Sequence, residues 1–404
     1  MNILFLSLVS INNIDDPGIY NDLLRKFRDE GHQLSVVTPL EKRLNKPTES
    51  VMEKDINFLR VQIGNITKTN LIEKGISTLT IESSYLRAIK KHFNEIKFDL
   101  VIYSTPPITF EKVIRYIKRR DNAKSYLLLK DIFPQNAVDL NMFSESSVIN
   151  KYFQHKEKKL YKQSDYIGCM SPANVDFILK HNPYLNSDHV EVCPNSIEPI
   201  NIEYNEKDIQ EIRIKYKIPL DKVVFIYGGN LGKPQGIDFL IECLKANKQN
   251  NKVYFVIAGS GTEFGKLKTF FDNEQPPNAQ LFEQLPKEDY EVLANSCDVG
   301  LIFLDKRFTI PNFPSRLLSY MQASMPVLAA TDVNTDLGAI IEKGEFGFWC
   351  ESRNVEEFNK QLSKFYDVTH REQMGLNARK YLKNNYTVTH SYEVIMSHFS
   401  KGSN

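Results

Sequence analysis

The sequence predicts an α/β protein built of two doubly wound domains. Short apolar segments alternate with segments whose apolar residues recur at helical spacing, and the alternation starts again at Val223. This alternation favours parallel sheets with helices on both faces, and 404 residues suit two domains. We expect one domain at 1–198 and a second at 199–380, joined through Pro199–Asp208, with 381–404 as a helical end segment. Two such domains facing a central cleft would bind ligands at the carboxyl ends of their strands.

In the first half, apolar runs predict strands and amphipathic segments predict helices. The expected strands are Ile3–Val9, Leu34–Thr38, Leu100–Ser104, Ser125–Leu129, Tyr166–Ser171 and Val190–Pro194. The expected helices are Tyr20–Glu30, which ends at Gly31, Thr80–Asn94 and Glu111–Arg119. The first ten residues, MNILFLSLVS, contain no basic residue and no small-residue cleavage site, so they predict a buried strand rather than a secretory signal.

The second half repeats the pattern. Strands are expected at Val223–Gly228, Val253–Gly259 and Val299–Leu304, and helices at Ile237–Lys245 and Asp289–Asn295. The segment from Phe308 to Ala330 then predicts a loop, a helix at Arg316–Gln322 and a short buried strand that starts at Val327.

Composition excludes several classes of protein. The chain is 42% hydrophobic and 25% charged, as in globular domains, and its net charge of +1 gives no general attraction to nucleic acid. Its five cysteines are scattered and form no CxxC or Cys/His cluster, which argues against a metal or redox site and suits a reducing cytoplasm. No apolar run reaches the 18 residues of a membrane span.

Positive charge is concentrated between Lys112 and Lys162. This stretch holds 12 basic and 5 acidic residues, and its densest parts are 115–120 and 155–162. One interpretation is solvated helix faces. The other is a basic patch that meets anionic lipid headgroups or a lipid diphosphate.

Two loops have the character of phosphate-binding segments. The helix predicted at Arg316 follows a loop, so its backbone N–H groups would point into the cleft, and Arg316 in its first turn could grip phosphate oxygens in a bidentate manner. The loop YGGNLGKPQG, 227–236, lies between a strand and a helix, and its glycines allow close approach of backbone to phosphate. It is neither a P-loop nor a G-x-G-x-x-G dinucleotide loop, and each segment also fits an ordinary connection in an α/β sheet.

Asp131 is the carboxylate best placed for catalysis. It follows the strand Ser125–Leu129 and would therefore face the cleft, where it could orient or deprotonate a hydroxyl group. The alternative is an aspartate that caps a helix.

In their order along the chain, these motifs resemble the retaining GT-B glycosyltransferases of the large family 4 group. The bacterial O-antigen and capsule subgroup, with its N-acetylfucosamine transferases, has "PSK-LLEYM-A-G-PV" where this chain has Pro314 to Val327. It has "GN-G---QG" at the glycine loop, where other members carry cations, and "D-[LI]-[WYF]-P-E-S" at Asp131, with Gln135 here replacing Glu.

The resemblance implies a GT-B fold and transfer, with retention, of a sugar from a nucleotide diphosphate sugar to a glycan acceptor. We expect a UDP-linked donor such as an N-acetylated amino sugar, a polyprenyl-diphosphate-sugar acceptor, a role in surface polysaccharide biosynthesis, and neither cofactor nor metal. The protein would be cytoplasmic, with peripheral contact to the inner face of the plasma membrane through 112–162. A last helix around Tyr381–Phe399 would cross back to the first domain.

The resemblance also assigns roles to individual residues. Asp131 is the catalytic candidate, and Gly18 and Ser104 lie on the acceptor side. The donor-binding candidates are Gly229, Asn230, Gly232, Lys233, Gln235, Gly259, Leu285, Pro314, Ser315, Arg316 and Ser319.

One departure from the family affects the donor site. The two acids of the family's Glu-x7-Glu signature fall at Pro311 and Ser319, so neither carboxylate is present. Two alternatives therefore stay open: a UDP-sugar 2-epimerase of GT-B fold, which needs no acceptor, and an inactive GT-B protein that binds a partner.

Overall fold

The computed structural model of the chain describes residues 1–67, 71–201 and 204–399, and in the helix that begins at Leu71 it leaves out the side chains of 71, 72 and 74–76. Residues 202 and 203 of the expected connection and 400–404 of the expected end segment lie outside this description. The chain forms two compact units. The first combines Met1–Glu198 with the segment that starts at Val388, and the second is Pro199–Thr387.

The first unit is a sheet of eight strands in the order β3-β4-β2-β1-β5-β6-β7-β8, in which only the β3–β4 pair is antiparallel. Its strands are β1 (Asn2–Leu6), β2 (Gln33–Glu41), β3 (Glu49–Glu53), β4 (Ile56–Ile63), β5 (Leu100–Ser104), β6 (Lys124–Leu129), β7 (Tyr166–Cys169) and β8 (Val190–Val192). Its helices are α1 (Ile19–Asp29), α2 (Leu71–His92), α3 (Glu111–Asp121), α4 (Gln135–Asp139), α5 (Val148–Gln163) and α6 (Pro172–His181), with short 3-10 turns at Lys42–Leu44 and Ser187–His189.

The core of the first unit lies where the central strands meet α1. Every residue of β5 is buried, as expected for a central parallel strand covered on both faces. Helix α1 turns Leu23, Leu24 and Phe27 toward this core. A helix near the end of the chain, Val388–Met396, packs on α1, where Tyr392 lies edge-on to Phe27 at 5.0 Å between ring centres.

The second unit is a parallel sheet of six strands in the order β11-β10-β9-β12-β13-β14. Its strands are β9 (Val223–Gly228), β10 (Val253–Ala258), β11 (Ala279–Phe282), β12 (Val299–Phe303), β13 (Val327–Thr331) and β14 (Gly347–Glu351). Its helices are α7 (Glu206–Lys215), α8 (Ile237–Ala246), α9 (Phe264–Glu274), α10 (Lys287–Asn295), α11 (Arg316–Gln322), α12 (Leu337–Lys343), α13 (Val355–Ser363) and α14 (Val368–Asn385), with 3-10 turns at Lys233–Gln235 and Lys364–Tyr366. The helix at Val388–Met396 is α15.

The predicted α/β class with two parallel-sheet domains is confirmed, and one boundary within it is corrected. The sequence predicts an end segment from 381 and one helix around Tyr381–Phe399. The structure instead continues α14 to Asn385 and starts α15 at Val388. The reason is packing, because the ring of Tyr381 lies 5.2 Å from that of Phe346 and 5.9 Å from that of Tyr386, within the second unit.

Candidate functional site

The second unit has a topological switch point between β9 and β12. The chain leaves β9 toward β10 on one side and leaves β12 toward β13 on the other, so the two connections diverge at the carboxyl edge of the sheet. The segments that follow β9 and β12 are hydrogen-bonded to each other, because the Asp305 N–H donates to the Pro234 carbonyl at 2.9 Å. Crevices of this kind are where doubly wound sheets bind ligands.

Glycines bring two loops into backbone contact at this edge. The Gly229 N–H donates to the Ala258 carbonyl at 2.8 Å, and a Cβ on Gly259 would overlap the Gly229 carbonyl oxygen. Gly229 itself has φ of +115°, a conformation that side chains rarely adopt. The structure thus brings the predicted residues Gly229 and Gly259 together, and both need to be glycine.

Two amide side chains hold the glycine loop in shape. The Gln235 Oε1 accepts from the Asn230 Nδ2 at 3.2 Å and from the Gly232 N–H at 3.1 Å. Asn230 and Gln235 therefore bond within the loop rather than pointing outward as cations would. Lys233 is exposed on the short turn that follows and borders a cavity of about 360 Å³.

Arg316 brings a guanidinium group to the end of β9. Its guanidinium carbon lies 3.8 Å from the centre of the Tyr227 ring, and its Nη2 is 3.5 Å from the Asn230 carbonyl oxygen. The Tyr227 hydroxyl donates to the same carbonyl at 2.9 Å. Arg316 is thereby held at the end of β9, beside Gly229, although it enters from a loop nearly ninety residues further along the chain.

The sequence predicts that the backbone N–H groups at the start of α11 are free to bind a ligand. Two of them are instead hydrogen-bonded within the first turn. The N–H of Leu317 donates to the Pro314 carbonyl at 3.2 Å, and that of Leu318 donates to the Ser315 carbonyl at 3.1 Å. These two groups are occupied because the first turn is tight, so they are not open to a ligand. Ser315 and Ser319 are both exposed on α11 or at its start.

Buried side chains that the sequence analysis did not assign to the site hold α11 and its loop in place. The Tyr320 hydroxyl donates to the carbonyls of Ile226 and Leu301, each at 3.1 Å, and so ties α11 to β9 and β12. Thr335 donates to the Asn312 carbonyl at 2.6 Å, and its own N–H bonds to the Asp332 carboxylate at 3.2 Å. Burial raises the pKa of Asp332 to about 6.

Leu285 follows β11, the outer strand of the second unit's sheet. It is partly buried between β11 and α10, and the strand that leads to it is tied to the second loop, because the Gly259 N–H donates to the Phe282 carbonyl at 2.8 Å. Pro311, at one position of the absent acid pair, is buried, whereas Ser319 at the other is exposed.

In the first unit, Asp131 and Ser104 lie at the carboxyl ends of neighbouring strands. Asp131 follows β6, and its Oδ1 accepts from the Asn136 Nδ2 at 2.8 Å. Burial raises its pKa to about 6. It does not cap a helix, since the residue before α4 is Pro134, so the capping alternative is wrong. Ser104 ends β5 and is buried.

Gly18 and Lys130 are two further residues of the first unit, one before α1 and one directly after β6. Gly18 precedes α1, and its N–H donates to the buried Asp22 carboxylate at 3.0 Å. A Cβ on Gly18 would meet nothing within 4 Å, so this position does not require glycine for space. Lys130 donates from Nζ to the Cys193 carbonyl at 3.2 Å, and burial lowers its pKa to about 8.

Neither a metal cluster nor a membrane span is found in the described part of the chain. Within it, no three His, Cys, Asp or Glu side chains are grouped as metal ligands would be. Nor is any helix there both long enough and apolar enough to cross a bilayer.

Comparison with known protein families gives a match to most of the second unit. Residues 208–381 match the family described as Glycosyl transferases group 1. These residues therefore resemble a group 1 glycosyltransferase domain. This domain contains the glycine loop, Arg316 and the turn at Asp332, so the elements of the candidate donor site all lie within the matched residues.

Similarity to whole proteins extends beyond that domain. The chain is 22% identical to the probable glycosyltransferase WbjE of Pseudomonas aeruginosa over 383 residues, which are 93% of this chain and 92% of that protein. It is 27% identical over 152 residues to TuaC of Bacillus subtilis, a putative teichuronic acid biosynthesis glycosyltransferase, covering 36% of this chain and 38% of that protein. These matches support a glycosyltransferase.

Solved structures show the same GT-B fold. Anabaena HepE in complex with UDP and glucose aligns over all of both chains with a TM-score of 0.71 and 16% identity. WaaG, a glycosyltransferase of lipopolysaccharide biosynthesis, aligns over 99% of this chain and 100% of its own with a TM-score of 0.67 and 14% identity. At these identities the likeness concerns the fold.

Proposed function

We propose that this protein transfers a sugar, with retention, from a nucleotide diphosphate sugar to a glycan acceptor. The observation that carries the proposal is the position of Arg316, stacked on Tyr227 beside Gly229 at the switch point of the second unit. A rigid guanidinium next to an open glycine backbone is suited to the oxygens of a diphosphate.

In this proposal the diphosphate is the leaving group. The bond between the sugar's anomeric carbon and the diphosphate oxygen breaks, and the acceptor oxygen forms its new bond on the same face. Arg316 meets the negative charge that develops on the diphosphate, and Lys233, which is exposed in the glycine loop, adds a second positive charge. The proposal assigns neither a cofactor nor a metal ion to this step.

Asp131 is proposed to take the proton from the acceptor hydroxyl. A carboxyl group with a pKa near 6 is ionised at neutral pH and is a stronger base than an ordinary aspartate. Ser104, at the end of the neighbouring strand, and Gly18, before α1, remain proposed acceptor-side residues of the first unit.

The donor class and the pathway are proposed from the relatives. The solved HepE structure contains UDP, which favours a UDP-linked donor here, including an N-acetylated amino sugar. WcaI of Escherichia coli is described as a putative colanic acid glycosyltransferase and TuaC as a teichuronic acid enzyme, which favours surface polysaccharide synthesis, including O-antigen or capsule. The proposed acceptor class is a sugar linked to polyprenyl diphosphate.

A lipid-linked acceptor fits a surface of the first unit. Around the start of α5, large apolar side chains face solvent, with Val148 83% exposed, Ile149 56% and Met142 60%. Lysines follow on the same helix, and Lys151, Lys158 and Lys159 are all exposed. Apolar side chains followed by lysines suit contact with an anionic membrane face, so we propose peripheral membrane binding there.

Ligand-dependent thermal stability tests the donor proposal. The protein is heated with UDP, GDP, ADP or CMP, and with UDP-sugars. A ligand at about 100 times its dissociation constant stabilises by about 2.7 kcal/mol, and at about 2–4 °C per kcal/mol this raises the midpoint by roughly 5–11 °C in domains of this size. A selective rise with one nucleotide supports the proposal.

The outcome also separates the alternatives. Absence of any shift would contradict the nucleotide-sugar proposal and favour the inactive binding partner. Consumption of a UDP-sugar without any acceptor, with formation of an epimer or free UDP, would instead identify the 2-epimerase.

A further inference from the structure

Tyr290 places its hydroxyl group over the end of β9. It lies on α10, where its N–H donates to the Pro286 carbonyl at 2.9 Å in the first turn. A Cβ built on Gly228 would overlap the Tyr290 hydroxyl and would lie 2.8 Å from its Cζ. The absence of a side chain at Gly228 therefore makes room for the polar end of Tyr290.

This hydroxyl differs from the two other tyrosine hydroxyls of the site. The hydroxyls of Tyr227 and Tyr320 both donate to backbone carbonyls and have fixed structural partners. Within residues 1–67, 71–201 and 204–399, by contrast, nothing forms a hydrogen bond with the Tyr290 hydroxyl. Burial raises the pKa of Tyr290 above its ordinary value, so the group keeps its proton and can donate it to a ligand.

The hydroxyl and Arg316 flank adjacent residues. Tyr290 covers Gly228, and a Cβ on Gly229 would lie 3.2 Å from the Arg316 Nη2. The Tyr290 hydroxyl and the Arg316 guanidinium are therefore two donors beside two successive glycines. A ligand that satisfies both presents more than one acceptor oxygen, at least one of them suited to a guanidinium, and a diphosphate has such oxygens.

We infer that the Tyr290 hydroxyl donates a hydrogen bond to the diphosphate of the bound nucleotide. The inference rests on the proposed function, because it assigns a further residue to that donor site. Tyr290 then shares the leaving-group charge with Arg316. A charge-assisted O–H···O bond that is present with ligand and absent without it contributes directly to affinity.

The test compares Tyr290→Phe with the unchanged protein by isothermal titration. The ligands are UDP, GDP and ADP, followed by the nucleoside that corresponds to the tightest of them. The control is Tyr254→Phe, which removes the hydroxyl of a buried tyrosine on the neighbouring strand β10 that donates to the Gln280 Oε1 at 3.4 Å. Circular dichroism melting of each variant confirms that the fold is retained.

We expect Tyr290→Phe to weaken the diphosphate by about 10- to 100-fold, the range for a lost hydrogen bond to a charged group. The nucleoside, which has no phosphate, should bind equally well to both proteins, and Tyr254→Phe should bind both ligands normally. Equal diphosphate affinity in Tyr290→Phe, or an equal loss for the nucleoside, would overturn the inference alone. If the unchanged protein binds none of the diphosphates, the proposed function fails together with it.

Discussion

The guanidinium of Arg316 stacks on the ring of Tyr227 at 3.8 Å. Stacking on an aromatic face fixes the plane of the guanidinium, and the Tyr227 ring is itself fixed by its hydroxyl bond to the Asn230 carbonyl. The cation is therefore held at the end of β9 before any ligand arrives. Less conformational entropy is then lost on binding, which is the physical advantage of an ordered site.

Removal of Arg316 should weaken donor binding strongly while leaving the fold intact. Arg316→Ala loses charge-assisted bonds to the diphosphate, each of about 1.5–3 kcal/mol, so we expect nucleotide affinity to fall by about 100-fold and turnover at least as much. Arg316→Lys keeps the charge but loses the planar fork and the stacking, so it should recover only part of the affinity. Titration with nucleotide and steady-state kinetics measure both.

The control for these variants is Arg353→Ala, because Arg353 is exposed and pairs with Glu351 in the same unit. It should bind nucleotide normally. Normal turnover in Arg316→Ala would exclude the phosphate-binding role.

Ionisation of Asp131 should control the acid limb of the pH profile. Because burial raises its pKa to about 6, activity should rise with pH through about 6 and then level off. Asp131→Asn keeps the acceptor of the Asn136 bond but cannot take a proton, so turnover should fall by about 100-fold or more and the acid limb should disappear. An unchanged profile in the variant would remove Asp131 from catalysis.

The same group makes a prediction about stability. Its pKa is higher in the folded protein than the ordinary 3.8, so the folded state binds more protons and stability falls as pH rises from about 4 to about 6. The full cost above pH 6 is at most about 3 kcal/mol. Asp131→Asn should therefore melt at a higher temperature than the unchanged protein at pH 7.5 and at the same temperature at pH 4.

Gln235 should matter for the shape of the glycine loop. Gln235→Ala removes the acceptor of two loop donors, the Asn230 amide and the Gly232 N–H. We expect the KM for the donor to rise by about five- to tenfold, with a smaller change in kcat, since two neutral hydrogen bonds of about 1 kcal/mol each are lost. Gln235→Glu keeps both acceptor bonds but adds a negative charge beside the diphosphate, so it should raise KM further.

The surface around Val148 should bind membranes through both apolar and charged groups. A double change of Val148 and Ile149 to Glu removes apolar burial and adds charge repulsion, so sedimentation with vesicles rich in anionic phospholipid should fall by about tenfold or more. Val368→Glu is the control, because Val368 is 55% exposed but lies in the second unit. Equal binding by the double variant, or equal binding of the unchanged protein to neutral vesicles, would contradict the proposal.

The fold class was predictable because central parallel strands are continuous apolar runs. The bounds expected for Leu100–Ser104 and Val223–Gly228 agree with β5 and β9, whose positions in the sheets bury nearly every residue. The strand β3 was not predicted. It lies at the sheet edge, pairs on one side only and starts and ends with glutamate, so its local pattern resembles a loop.

The candidate site was only partly accessible from sequence. The contact between Gly229 and Gly259 was predictable, because each glycine directly follows a strand and the two strands, β9 and β10, are neighbours in the sheet. The positions of Tyr290 and Tyr320 depend on how α10 and α11 pack on β9, and no local pattern encodes that packing. The roles assigned to Asp131 and to the donor-binding residues stay predictions until the variants are measured.

The first unit is made of two separate stretches of the chain, so the ribosome synthesises its last helix after the whole of the second unit. Helix α15, which packs on α1, leaves the ribosome only after the whole of Pro199–Thr387. At about 5–20 residues per second, that delay is roughly 10–40 s, during which the surface of α1 that Tyr392 later covers stays open. The second unit is continuous and can fold in that interval, so the half of the protein that is made first is the half that is completed last.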